Sequence, residues 1–171
     1  MVVVTALTRS SSKSAEPALL YVAPDTLLST VKDAILVAKL DATIALCLYD
    51  AVEEQGLLLH LRVLPEGNVK KDLTDSVFAG NLVLLEQAKQ SLHTVSPTAR
   101  YWQGKLVAQV SAEDPMQERA AATVIEFIRH YCVDANIKLV DAQLRVGAPS
   151  LLHFRPAMGE VKLKSSAGDL G

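Results

Sequence analysis

The stretch Ala34–Pro65, AILVAKLDATIALCLYDAVEEQGLLLHLRVLP, holds three apolar runs and the one arrangement in the chain suited to chemistry. Two of the runs, Thr43–Tyr49 and Leu57–Leu64, flank a polar turn that ends at Gly56, and this predicts a β-hairpin. The third, Ile35–Leu40, predicts a short strand leading into it. Side chains alternate between the faces of a strand, so Thr43, Ala45 and Cys47 share one side while Ile44, Leu46 and Leu48 share the other. His60 stands alone among leucines on the second strand. A register centred near Ala51 and Val52 sets His60 across from Thr43, whereas one centred about two residues later brings it near Cys47. Turn type and length fix hairpin register, so the residues alone leave both open.

Upstream, Thr8–Pro17 is polar, serine-rich and closed by proline, which makes residues 1–17 a flexible leader. Leu19–Ala23 predicts a short strand, Pro24-Asp25-Thr26 a turn, and Thr26–Asp33 one or two turns of helix. Downstream, the Pro65–Asn68 turn cluster precedes a change of period. Leu73, Val77, Phe78, Leu82, Leu85 and Leu92 recur at helical steps and predict an amphipathic helix to about His93, ended by Ser96-Pro97. A strand is predicted over Lys105–Ser111. Glu113-Asp114-Pro115 then suits a helix start, where acids meet the dipole and proline lacks only an amide that would be unpaired. Met116, Ala120, Val124, Phe127, Ile128 and Tyr131 mark the expected buried face of this second helix, which ends near Asn136. A strand follows over Ile137–Leu144, and Leu151–Arg155 with Glu160–Lys164 form a closing hairpin. The pattern predicts an α+β or layered α/β domain over residues 18–164, with mixed or antiparallel sheets, two long helices and a loose tail at 165–171.

Composition excludes several function classes. Half of the 171 residues are hydrophobic, which describes an ordinary globular chain. Acidic and basic residues nearly cancel, at 19 against 17, and give no basic face for nucleic acid. No apolar window approaches a membrane span, so no membrane insertion is expected, and a cytoplasmic location follows by default. Cys47 and Cys132 are far apart and read as buried thiols, with a disulfide between them as the minor alternative. His93, His130 and His153 are scattered without metal-ligand spacing, so neither a metal nor a cofactor is expected. Trp102, beside Tyr101, reads as a ring packed on the core or as a surface aromatic open to a partner.

The candidate site residues are therefore His60, Thr43 and Cys47. A thiolate beside an imidazole is a competent nucleophile, and a threonine hydroxyl becomes one only beside a well-placed base. The structural alternatives are a β-branched strand residue at Thr43, a buried strand thiol at Cys47 and a core histidine satisfied by a backbone carbonyl at His60.

The run Thr43-Ile44-Ala45-Leu46-Cys47-Leu48-Tyr49-Asp50, followed by Gly56 and His60, resembles the signature of the CheD family, the chemoreceptor glutamine deamidases of bacterial chemotaxis. That family's nucleophilic cysteine and histidine lie seventeen positions apart, the interval from Thr43 to His60. By this resemblance Thr43 holds the cysteine's place, Val37 that of a catalytic threonine, and Asp41-Ala42 that of a Gly-Ser pair. Cys47 matches a second cysteine that is not the family's nucleophile. The family's Gly-Gly-Ala turn falls on the Gln109–Ala112 stretch, and of its second helix's Gly-x-Arg-Asn start only Arg119 is kept. The resemblance implies a CheD-like layered sandwich and a degenerate, catalytically impaired member that binds chemoreceptor cytoplasmic helices or a CheC-type phosphatase. Two alternatives stand beside it: an active protein-glutamine deamidase using Cys47 or Thr43 with His60, and a diverged non-enzymatic domain outside chemotaxis.

Overall fold

A computed structural model describes residues 3–6, 17–30, 33–50, 52, 54–63, 73–95 and 102–165. In chain order these form β1 (Val3–Ala6), β2 (Ala18–Tyr21), β3 (Thr26–Thr30), β4 (Ala34–Leu40), β5 (Thr43–Asp50), β6 (Gln55–Arg62), α1 (Leu73–Val95), β7 (Gln103–Val110), α2 (Pro115–Asp134), β8 (Lys138–Val146), β9 (Ser150–Arg155) and β10 (Glu160–Ser165). The α+β class, the central hairpin, both helices and the closing hairpin follow the sequence expectation.

Two mixed sheets carry the strands. One has the order β3-β6-β5-β7-β8, with β1 added parallel at the edge of β3, and the other runs β10-β9-β4-β2. In the first sheet β7 and β8 are parallel, and in the second β2 and β4 are parallel; the remaining neighbours outside the β1 edge are antiparallel. The helices cover one face of the larger sheet and the second sheet covers the other, giving three layers.

Alternation on β5 and β6 produces this layering. Ile44, Leu46, Leu48, Leu57, Leu59 and Leu61 project into a core shared with Leu84, Leu85 and Leu92 of α1 and Val124, Ile125 and Ile128 of α2. Ala45, Cys47, Tyr49 and Leu58 project the other way, against Leu36, Leu40, Leu152 and Phe154 of the second sheet. A strand covered on both faces has no solvent side to mark with polar residues, which is why β5 is buried along its whole length.

Four expectations are corrected. Thr26–Thr30 is a strand, β3, antiparallel to β6 with Thr26 opposite His60, where one or two turns of helix were expected up to Asp33. Pairing with a distant strand overrides so short a local signal. Within the expected leader, Val3–Ala6 forms β1 alongside β3; most of the remaining leader, like the Pro65–Asn68 turn, the Ser96-Pro97 stop and most of the tail, lies outside the described residues. Ser165, placed in the tail, closes β10. The buried face of α2 is turned by about one position: Ala121, Val124, Ile125, Ile128 and Cys132 are buried, whereas Met116 is 63% exposed. Apolar residues flank both sides of that stripe, so periodicity alone does not centre it.

The start of α2 follows the sequence chemistry. Asp114 is the N-cap, its Oδ1 accepting the Met116 N–H at 3.0 Å, and Pro115 occupies the first helical position. Asp114→Ala is expected to lower stability by about 1 kcal/mol. Urea unfolding of both chains measures this, and an unchanged midpoint would show that the cap is not needed.

Candidate functional site

The second sheet delivers Thr43 to the first. At the end of β4 the chain crosses between sheets in the two residues Asp41 and Ala42, with Ala42 held at φ 54°, a left-handed conformation uncommon for a residue with a Cβ. Thr43 is therefore the first residue of β5. Its Oγ1 accepts the Asp41 N–H at 3.3 Å and lies 2.7 Å from His60 Nε2. On the other side of the ring, His60 Nδ1 lies 2.8 Å from the Val22 carbonyl oxygen. Val22 in turn donates its N–H to Val37 O at 2.8 Å.

This geometry settles the proton positions. A carbonyl oxygen only accepts, so Nδ1 carries the proton it donates to Val22, and in the neutral ring Nε2 then accepts from the Thr43 hydroxyl. Burial keeps the ring neutral: it pushes the His60 pKa below its ordinary value, outweighing the opposing hydrogen bond to Val22 and the smaller effects of Arg62 (lowering) and Asp25 (raising). Thr43 is 4% exposed and His60 1%.

The register falls between the two that the sequence left open. His60 lies directly opposite Ala45, which sets Thr43 and Cys47 on the two diagonals, and the imidazole bonds Thr43. Cys47 faces Leu58 in the core between the sheets. Burial drives its thiol far above the usual range, with Lys105 opposing only in part, so no thiolate forms there near neutral pH. Cys132 on α2 is buried and pushed up to about 11 by desolvation. His130, two residues away on the same helix, is exposed.

Other residues of the Thr43–His60 stretch hold the frame. Asp50 Oδ1 accepts the Val52 N–H at 2.8 Å and so fastens the hairpin turn. Tyr49 packs against Phe154, ring centroids 6.2 Å apart, with Lys105 Nζ 5.7 Å from its own centroid. Gly56 is required by close approach, since a Cβ there would stand 2.3 Å from Leu48 O and 3.0 Å from Pro156 Cβ. Trp102 packs, partly buried, against the helix-side core.

Sequence reasoning missed six participants. The Val22 carbonyl and the Asp41 N–H are backbone groups and leave no side-chain signature. Asp25 forms an ion pair with Arg62, whose Cα is paired with that of Thr43. Gln109 is paired with Thr43 from the other side, and Arg145 with Gln109. Directly paired residues point to the same face, so Arg62, Thr43, Gln109 and Arg145 form a polar row across the larger sheet at one end of the sandwich. A lone glutamine at the end of the apolar run in β7 was the available signal for Gln109.

The fold and site thus define an α+β protein of two mixed sheets and two helices, with a buried hydroxyl–imidazole–carbonyl chain between the sheets. No protein-family model matches the sequence, and no curated protein matches it. No helix among the described residues is long and apolar enough to cross a membrane, and no group of three or more His, Cys, Asp or Glu side chains among them is placed to hold a metal ion.

A pH dependence follows from His60. Its folded pKa lies below the ordinary value of 6.5, so on acidification the unfolded chain takes up this proton before the folded one does. The neutral ring's contribution is complete above that value and is lost as pH falls through and below it. Urea midpoints at about pH 7.5 and 5.5 should show a smaller acid-induced loss for His60→Gln than for the wild type. Equal losses would mean that His60 is not the titrating group.

Proposed function

We propose that this chain is a CheD-like chemotaxis signalling protein that has lost efficient deamidation and acts by binding, with chemoreceptor cytoplasmic helices or a CheC-type phosphatase as partners. The observation that carries the reading is the Thr43–His60 contact: a hydroxyl stands 2.7 Å from the imidazole, at the chain separation of the family's cysteine and histidine. The layered α+β frame and the structural roles of Tyr49, Asp50 and Gly56 also support it.

The chemistry argues for impairment. Attack on a glutamine carboxamide calls for an ionisable nucleophile open to the substrate, and a threonine hydroxyl is far less acidic than a thiol. Here that hydroxyl is buried and held between two partners. The family's polar helper position is Val37, and the ring is oriented by the Val22 carbonyl, which fixes the tautomer but offers no charge to stabilise an imidazolium. Cys47 is a poorer candidate still, being fully enclosed with its pKa raised.

One observation favours the second reading, an active deamidase. With Nδ1 fixed as donor and Nε2 accepting from a hydroxyl, His60 has the proton arrangement of a general base. The two readings separate in one experiment, in which the full chain is incubated with chemoreceptor cytoplasmic fragments and both ammonia release and glutamine-to-glutamate conversion are followed. The binding reading predicts no conversion together with retention of a receptor fragment or a CheC-type phosphatase in pull-down. Conversion abolished by Thr43→Val would establish the enzyme, and neither binding nor conversion would remove both. In the binding reading Thr43 matters for stability: Thr43→Val strands a buried Nε2 and should cost about 1–3 kcal/mol, while Thr43→Ser costs less. Urea unfolding measures the difference.

A further inference from the structure

The polar row does not stop at Thr43. Beyond Gln109 it reaches a cavity of about 480 Å³ at the β8–β9 connection, lined by Gln109, Arg145, Gly147, Ser150, Leu163 and Lys164 among others. That volume is within the range of roughly 300–1,000 Å³ typical of small-molecule sites.

Its charged lining residues among those described carry one sign. Gln109 is 4% exposed, and its Oε1 accepts the Ser150 hydroxyl at 3.1 Å, which fixes the carboxamide and leaves the amide nitrogen as the free end. Nε2 has no hydrogen-bond partner among the described residues, and it lies 3.9 Å from the position a Cβ on Gly147 would take, at the cavity wall. Two cations, Arg145 and Lys164, line the same space, and among the described residues no carboxylate does. Elsewhere on these closing strands the cations are matched: Arg155 pairs with Asp33, and Lys162 with Glu160. Among the described residues Arg145 and Lys164 have no such partner. The wall is also tied down, since Gly147 donates its N–H to Val110 O at 2.9 Å across the end of β7.

We infer that this cavity binds a small organic anion, its carboxylate or phosphate held by Arg145, Lys164 and the Gln109 amide, with its apolar part against Leu163. A guanidinium fork presents paired donors to either oxyanion, and the Gln109 amide, its oxygen held by Ser150, can add an N–H from the cavity wall. The inference concerns a different surface from the Thr43–His60 contact and stands whether or not the chain is CheD-like.

The test is a titration of the isotope-labelled full chain with inorganic phosphate and, separately, with succinate, followed by nuclear magnetic resonance. Saturable shifts are expected at the Gln109 side-chain amide and at Gly147. Arg145 is exposed, so Arg145→Gln should keep the fold and weaken binding tenfold or more; Lys164→Gln should act in the same direction. Tighter phosphate binding would make the ligand a phosphate, and tighter succinate binding a carboxylate. Absence of saturable shifts with both anions, or unchanged affinity in Arg145→Gln and Lys164→Gln, would overturn the inference.

Discussion

An imidazole enclosed between two sheets is tolerable only if both of its nitrogens are satisfied, and that constraint organises this molecule. His60 meets it with one partner from each side: the Val22 carbonyl, held beside β4 of the smaller sheet, and the Thr43 hydroxyl on β5 of the larger. A buried donor or acceptor left without a partner costs about 1–3 kcal/mol, a large share of a typical net stability. The relay therefore couples the relative placement of the sheets to one ring. It also explains the abrupt two-residue crossing at Asp41 and Ala42, with its left-handed alanine, because this crossing is what brings a hydroxyl to Nε2.

The same relay bears on chemistry. A base oriented by a carbonyl and bonded to a hydroxyl is half of a nucleophilic device, and the missing half is access and acidity. A hydroxyl is far less acidic than a thiol, and burial raises the cost of forming an attacking anion further because an anion there has little water around it. The side chains around the pair are those that hold a sandwich together: Ala45 across from the ring, and Cys47 and Leu58 in the dry layer between the sheets. Polar groups with room in front of them lie further along the row, at Gln109 and Arg145.

Much of the architecture was legible in the sequence where a periodicity had one interpretation. Two apolar runs around the polar turn that ends at Gly56 marked the hairpin, and the Glu113-Asp114-Pro115 run marked the helix start. Legibility failed where structure depends on a distant partner. β3 is only five residues long and exists as a strand because β6 pairs with it. The hairpin register turned on an Asx-type bond at Asp50 and a left-handed Glu54, and it fell between the two simplest guesses. At the site, His60 and Thr43 were visible as residue types, but the third member of the relay is the Val22 carbonyl, a group every residue possesses. Gln109 was overlooked because a single amide in an apolar strand becomes informative only when its cross-strand neighbours are known.

The most direct measurement is nitrogen-15 nuclear magnetic resonance of the His60 imidazole in the labelled protein, followed from neutral pH downward. A ring held between the Val22 carbonyl and the Thr43 hydroxyl gives a neutral tautomer with the proton on Nδ1 and an unprotonated Nε2, and it keeps that state below the ordinary histidine pKa of 6.5. A proton on Nε2 in the neutral ring, or an imidazolium already formed at neutral pH, would contradict the buried relay on which the fold and the functional reading both rest.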